Sequence, residues 1–282
     1  MKRDNFRLIF GLSQTQPWIK SKIDKLESLL FDDCNTTEQR NLIIELINSF
    51  VYLSNSKFIE CLKTLSETIV TEPGINDFDT QVVAMAADSG SDSSQYILYA
   101  LKPYFEELGW REYKQVNKYS LSYRTYNRSN DHKNIVLIDE FIGSGQTVIN
   151  RVKDIESSFI SKKVTDFTIR ARVILATEEG IDNARKNGID VESQIILKKG
   201  ITDHFPTHEI GDKLDLMKQL EGRLSSEYKG RKMPSLGYGG TESLYARDEG
   251  NTPNSVFPIF WWPFYNDETS RLTLLTRAMS DA

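Results

Sequence analysis

Two adjacent carboxylates, Asp139 and Glu140, stand directly after four aliphatic residues, Ile135, Val136, Leu137 and Ile138. Shortly beyond them comes a run of small, hydroxyl and amide side chains, Gly143, Ser144, Gly145, Gln146 and Thr147. Glycines let backbone N–H groups converge, hydroxyls add donors, and a helix N-terminus favours an anion, so 143–147 suits a phosphate. Carboxylates repel phosphate but accept hydrogen bonds, so Asp139 and Glu140 suit the hydroxyls of a sugar. The types and their order point to a phosphorylated sugar as ligand. The plainer alternative is a buried strand followed by a capped turn.

Positioning such a pair requires a rigid strand before it and a helix after it. The uninterrupted aliphatic run at 135–138 predicts a strand buried on both faces, as in a parallel sheet, and Val148, Ile149, Val152 and Ile155 predict the helix. A similar unit precedes it: an apolar strand at 81–87, a polar loop of Asp88, Ser89, Gly90, Ser91, Asp92, Ser93 and Ser94, then a helix ending near Gly109. Further strands are expected at 168–176 and 191–197, with a helix at 178–186 between them. Strands alternating with helices indicate a parallel α/β sheet, with ligands gathering at the carboxyl ends of the strands.

Four hydrophobic residues, two acidic ones, a short linker and a Ser/Thr-Gly-x-Thr ending resemble the phosphoribosyl pyrophosphate (PRPP) signature of type I phosphoribosyltransferases. Glu140 departs from it, because many members carry a second aspartate there. The resemblance implies that Asp139 and Glu140 hold the ribose, with Mg²⁺ nearby through the ribose or water. It also implies that Gly143, Ser144, Gly145, Gln146 and Thr147 wrap the 5′-phosphate, and that Asp88, Ser89, Gly90 and Ser91 form the pyrophosphate loop. The aspartates of that loop suit Mg²⁺ or water better than phosphate. The expected fold is a type I phosphoribosyltransferase-like α/β core at 76–228, with an N-terminal helical extension at 1–75 and an irregular C-terminal hood at 229–282. Tyr238, flanked by glycines, is the hood residue expected to stack on a base. The combination of Leu236, Gly237 and Tyr238 with 251–254 and 258–261 resembles a divergent branch found in bacterial conflict and retron-type defence operons. A PRPP-dependent transferase acting on a nucleobase or nucleotide is the implied function. The competing implication is a nucleotide- or PRPP-binding effector held by a reverse transcriptase, its msDNA or a DNA-binding protein.

Segment 110–133 interleaves Lys114, Lys118, Arg124, Arg128 and Lys133 with Tyr113, Tyr119, Tyr123 and Tyr126. It reads either as a hairpin with half-buried tyrosines or as the flexible loop that closes over PRPP in the resembled family, with a base-stacking nucleic-acid surface as a third reading. His204, His208 and Glu209 leave zinc open as a reading, but with Pro206 between the histidines and no further ligand evident a surface turn is the favoured one. A net charge of −5 disfavours bulk attraction to nucleic acid, and no run approaches the ~18 apolar residues of a membrane span. Two cysteines without Cys-x-x-Cys spacing fit a reduced, cytoplasmic protein. Trp261 and Trp262 fit either a core or an interface between copies of the chain.

Overall fold

The computed structural model describes residues 3–87, 92–129 and 131–279. The chain divides into two compact units, one made of Ser56–Leu197 and the other of Met1–Asn55 together with Lys198–Ala282. This differs from the division expected at 75/76 and 228/229. The helix at the end of the expected extension goes with the sheet, and the helix at 207–221 goes with the chain ends. An amphipathic stripe reveals that a helix is packed but not against what.

In chain order, the elements begin with α1 (Arg3–Thr15), α2 (Ile23–Ser28), α3 (Thr37–Asn48) and β1 (Val51–Leu53). Then come α4 (Asn55–Thr71), β2 (Thr80–Ala84), α5 (Ser93–Ala100), α6 (Lys102–Glu107), β3 (Lys114–Val116), α7 (Ser122–Ser129) and β4 (Asn134–Ile142). They continue through α8 (Gln146–Ile160), β5 (Thr168–Thr177), α9 (Glu178–Lys186), β6 (Asp190–Leu197) and α10 (Thr207–Glu221). The last are β7 (Glu227–Tyr228), β8 (Arg231–Lys232) and β9 (Tyr245–Arg247).

The Ser56–Leu197 unit is a five-stranded, wholly parallel sheet in the order β3-β2-β4-β5-β6. Period-2 alternation sends Val83, Ile135, Leu137, Ala171 and Val173 to one face, where Val148, Val152, Ile155 and Phe159 of α8 and Ile181 and Ala184 of α9 cover them. Val82, Val136 and Ile138 face the other way and are equally buried, and α5 packs on β2 and β4. The N-terminal halves of β5 and β6 are tied by an ion network around the buried Arg172. Arg172 of β5, 3% exposed, bridges Glu72 and Asp190, and Arg170 reaches the same glutamate at 3.0 Å. The strand order reverses between β2 and β4. In open α/β sheets, ligands bind at that switch point, outside the carboxyl ends of the strands.

The other unit packs α1, α2, α3 and α10 around a second core that includes Phe50, Phe257, Phe260, Trp261 and Trp262. β1 and β9 pair in parallel within it, with Val51 opposite Tyr245. The two tryptophans are at most 2% exposed, which makes them core side chains. Arg271 and Asp33 form a buried pair at 2.6 Å, and Tyr265 donates to the same aspartate at 2.7 Å. Both cysteines are buried and free, and burial pushes the Cys34 thiol up to about 12. Among the described residues no helix is long and apolar enough to cross a membrane.

Candidate functional site

β4 runs unbroken from its four aliphatic residues through Asp139 and Glu140, so strand geometry fixes both carboxylates at the switch point. Successive side chains of a strand point to opposite faces, and the two acids differ accordingly. Asp139 is half-buried. It accepts from the Ser93 hydroxyl at 2.7 Å and from the Glu140 amide at 2.7 Å. Glu140 lies deeper, at 4% exposure. Ser93 opens α5, so the first turn of the helix after β2 meets the acid at the end of β4. Asp92 caps the same helix, accepting from the Gln95 amide at 3.1 Å.

Burial pushes the Asp139 carboxyl up to about 7. The Asp92 and Glu140 carboxylates raise it further, while the bonds from Ser93 and from the Glu140 amide pull it down. A carboxyl poised near neutrality at a switch point is the perturbation expected of a functional group. A cation placed there would relieve both the desolvation and the mutual repulsion of the acids.

The loop after β4 is a three-residue turn, 143–145, and α8 then begins at Gln146. Gln146 and Thr147, expected in the loop, occupy the first helical turn, where backbone amides have no intrahelical acceptor. The first helical amide bond here is from Ile149 to the Gly145 carbonyl at 3.1 Å. Among the described residues, no bond is made by the amides of Gln146, Thr147 or Val148. The turn depends on Gly145, whose φ of +80° is left-handed. Its carbonyls are drawn toward the β5–α9 corner. The Thr177 hydroxyl donates to the Gly143 carbonyl at 2.7 Å, and the Asn183 amide donates to the Ser144 carbonyl at 3.1 Å. With carbonyls engaged there, the N-terminal amides of a fifteen-residue helix and its dipole are left to favour an anion.

This back wall was missing from the sequence reading. Gly180 lets it come close, since a Cβ there would sit 2.0 Å from the Gly143 carbonyl oxygen. A Cβ on Gly145 would meet the Gly180 carbonyl oxygen at 2.6 Å. The available signal was a glycine in the first turn of α9 just behind its cap Thr177, where helix propensity gives glycine no advantage.

Other expected residues are placed less centrally. Asp88, Ser89, Gly90 and Ser91 lie outside the described residues. Tyr238 belongs to the other compact unit and is 53% exposed. Segment 110–133 is neither a hairpin nor an open loop, because it contains β3 and α7. Tyr123 and Tyr126 pack on Phe159 at ring-centroid distances of 5.3 and 5.2 Å. Tyr119 carries the Arg151 guanidinium over its ring at 4.3 Å, and Arg151 also donates to the Met85 carbonyl at 3.1 Å. Tyrosines three residues apart on one helical face sealed the core instead of reaching for a ligand. Among the described residues, no three His, Cys, Asp or Glu side chains are grouped to hold a metal.

The chain matches the PRTase-CE family over residues 18–273. No curated protein matches it. Among solved structures it is similar to an orotate phosphoribosyltransferase from Aeropyrum pernix, with 14% identity, 52% of this chain and 76% of that chain covered, and a TM-score of 0.31. It is also similar to a Helicobacter pylori xanthine-guanine-hypoxanthine phosphoribosyltransferase, with 12% identity, 52% and 82% covered, and a TM-score of 0.28.

Proposed function

Because the chain belongs to the PRTase-CE family, we propose that it binds PRPP with Mg²⁺ at the switch point and transfers the phosphoribosyl group to a nucleobase or nucleotide. The observation that carries this is the juxtaposition of Asp139, held by Ser93, with the glycine turn and the first-turn amides of α8, which make no bond among the described residues. One group suits a ribose hydroxyl and the other a terminal phosphate, and β4 holds both on a rigid element. The 5′-phosphate lies on the amides of Gln146, Thr147 and Val148, and Asp139 and Glu140 take the ribose side. Mg²⁺, when bound, neutralises the pyrophosphate, and the acid pair provides oxygen donors for it directly or through water.

In the reaction, the bond from C1 to pyrophosphate lengthens toward an oxocarbenium ion. A nitrogen of the acceptor then forms the new bond to C1, and the bond electrons leave with pyrophosphate. Catalysis is mainly orientation and charge stabilisation, and no side chain becomes a covalent nucleophile. Ionised Asp139 faces the positive charge developing on the ribose.

The test is pyrophosphate release from PRPP in the presence of a panel of bases and nucleotides. Base-stimulated release supports transfer. Release that is slow and indifferent to every acceptor supports hydrolase or toxin chemistry, and binding without release supports the effector reading, in which the site holds PRPP or a nucleotide and a defence-system partner controls the chain.

A further inference from the structure

The Ser56–Leu197 unit has a cavity of about 870 Å³ between the end of α5, α6 and the edge strand β3. Ligand clefts commonly span roughly 300–1,000 Å³, mostly apolar with a few convergent polar groups. Here the apolar part is aromatic. Trp110 forms a fixed wall, 7% exposed and stacked on Phe105 at 5.6 Å, while Tyr99 stands at the rim, 72% exposed. The polar part is cationic. Lys102, Arg111 and Lys114 line the cavity against one carboxylate, Glu106, which is already bound to Arg111 at 2.7 Å. Lys102 sits over the Tyr99 ring at 5.7 Å, and Lys114 donates to a backbone carbonyl, that of Glu112, at 3.2 Å. Among the described residues neither lysine has a carboxylate partner.

An acidic chain with net charge −5 thus keeps two uncompensated ammonium groups beside an exposed aromatic ring in a concave site. A solvated basic face would satisfy the charges without the aromatic walls, and an apolar docking groove would have no use for the cations. We propose that this cavity binds a free nucleotide, with its base on Tyr99 and its phosphates on Lys102 and Lys114. The ligand needs a flat ring for stacking and an anionic tail for the lysines, and a nucleotide has both. The site shares no residue with the switch point, so a nucleotide held there does not compete with a ligand at the other site.

The experiment is calorimetric titration of the full chain with ATP, GTP and, as a ring-free control, inorganic tripolyphosphate. The wild type should bind a nucleotide more tightly than tripolyphosphate. The double variant Lys102→Glu, Lys114→Glu should weaken nucleotide binding at least tenfold, and Tyr99→Ser should bring the nucleotide down to the level of tripolyphosphate. Saturating Mg²⁺-PRPP should leave this binding in place. If PRPP does not bind at all, the sugar-phosphate reading fails and the lysine dependence still decides this one. The proposal is overturned if charge reversal leaves nucleotide affinity within twofold, if tripolyphosphate binds as well as the nucleotides, or if PRPP displaces them. It is equally overturned if only an oligonucleotide or an acidic peptide binds in a manner sensitive to the two lysines. Unchanged melting temperatures of the exposed-site variants separate lost binding from lost folding.

Discussion

Replacing Asp139 by asparagine should make the protein more stable at neutral and alkaline pH while weakening its hold on PRPP. The folded protein titrates this carboxyl at about 7, against a reference value of 3.8. The proton is therefore held more tightly in the folded state. The associated stability is fully present below the unfolded value and is lost as pH rises through the folded one. A separation of roughly three pH units corresponds to about 4 kcal/mol in all. Between pH 5 and 8.5 about two of those units are crossed, so the expected loss is roughly 2–3 kcal/mol, on the order of 10 °C in melting temperature for a unit of this size. Asparagine cannot ionise, yet its Oδ1 can accept from Ser93 and from the Glu140 amide as the aspartate does. Glu221, also pushed up to about 7 by burial, tilts the wild-type curve in the same direction. The informative quantity is therefore the difference between wild type and Asp139→Asn, measured by chemical denaturation at pH 5, 6, 7 and 8.5. The gap should widen in favour of the variant as pH rises. Parallel curves would refute the reasoning, because they would mean that Asp139 titrates like an ordinary exposed aspartate.

Gly180→Ala should displace the Gly143 carbonyl that lies 2.0 Å from the new Cβ, weakening PRPP binding tenfold or more by calorimetry. Gly145→Ala adds a left-handed strain of about 1–2 kcal/mol, readable as lowered stability in chemical denaturation. Arg271→Ala would strand the buried Asp33 carboxylate and should cost about 3–5 kcal/mol in denaturant unfolding. Glu221→Gln, with its amide oxygen in place of Oε2, keeps the bonds from Ser235 and the Leu236 amide and should flatten the fall in stability between pH 6 and 8, because the raised titration of Glu221 favours the folded state only at lower pH.

The elements around the acid pair were legible because their signals are local. The aliphatic run at 135–138, the turn at Gly143 and Gly145, and the helical spacing behind it occupy neighbouring positions, and β4 and α8 formed around that pattern, with α8 starting at Gln146 inside the expected loop. The strand and helix boundaries at 168–197 were legible for the same reason. Strand order was not, since a periodic run states which faces are buried and not which strand lies beside it. The back wall formed by Thr177, Gly180 and Asn183 comes from over thirty residues downstream of the turn it supports. β1 pairs with β9 across about two thirds of the chain, with Tyr52 opposite Ala246. The basic segment misled because tyrosine is both a packing residue and a ligand residue. The spacing of Tyr123 and Tyr126 held the answer in favour of a helix face.

The most direct test of the sugar-phosphate site is calorimetric titration of the full chain with PRPP in Mg²⁺, comparing wild type with the double variant Asp139→Ala, Glu140→Ala. Saturable one-to-one binding in the wild type, weakened at least tenfold in a variant that still melts cooperatively, is the result expected. Equal affinity in the two proteins would contradict the assignment of the acid pair to the ribose.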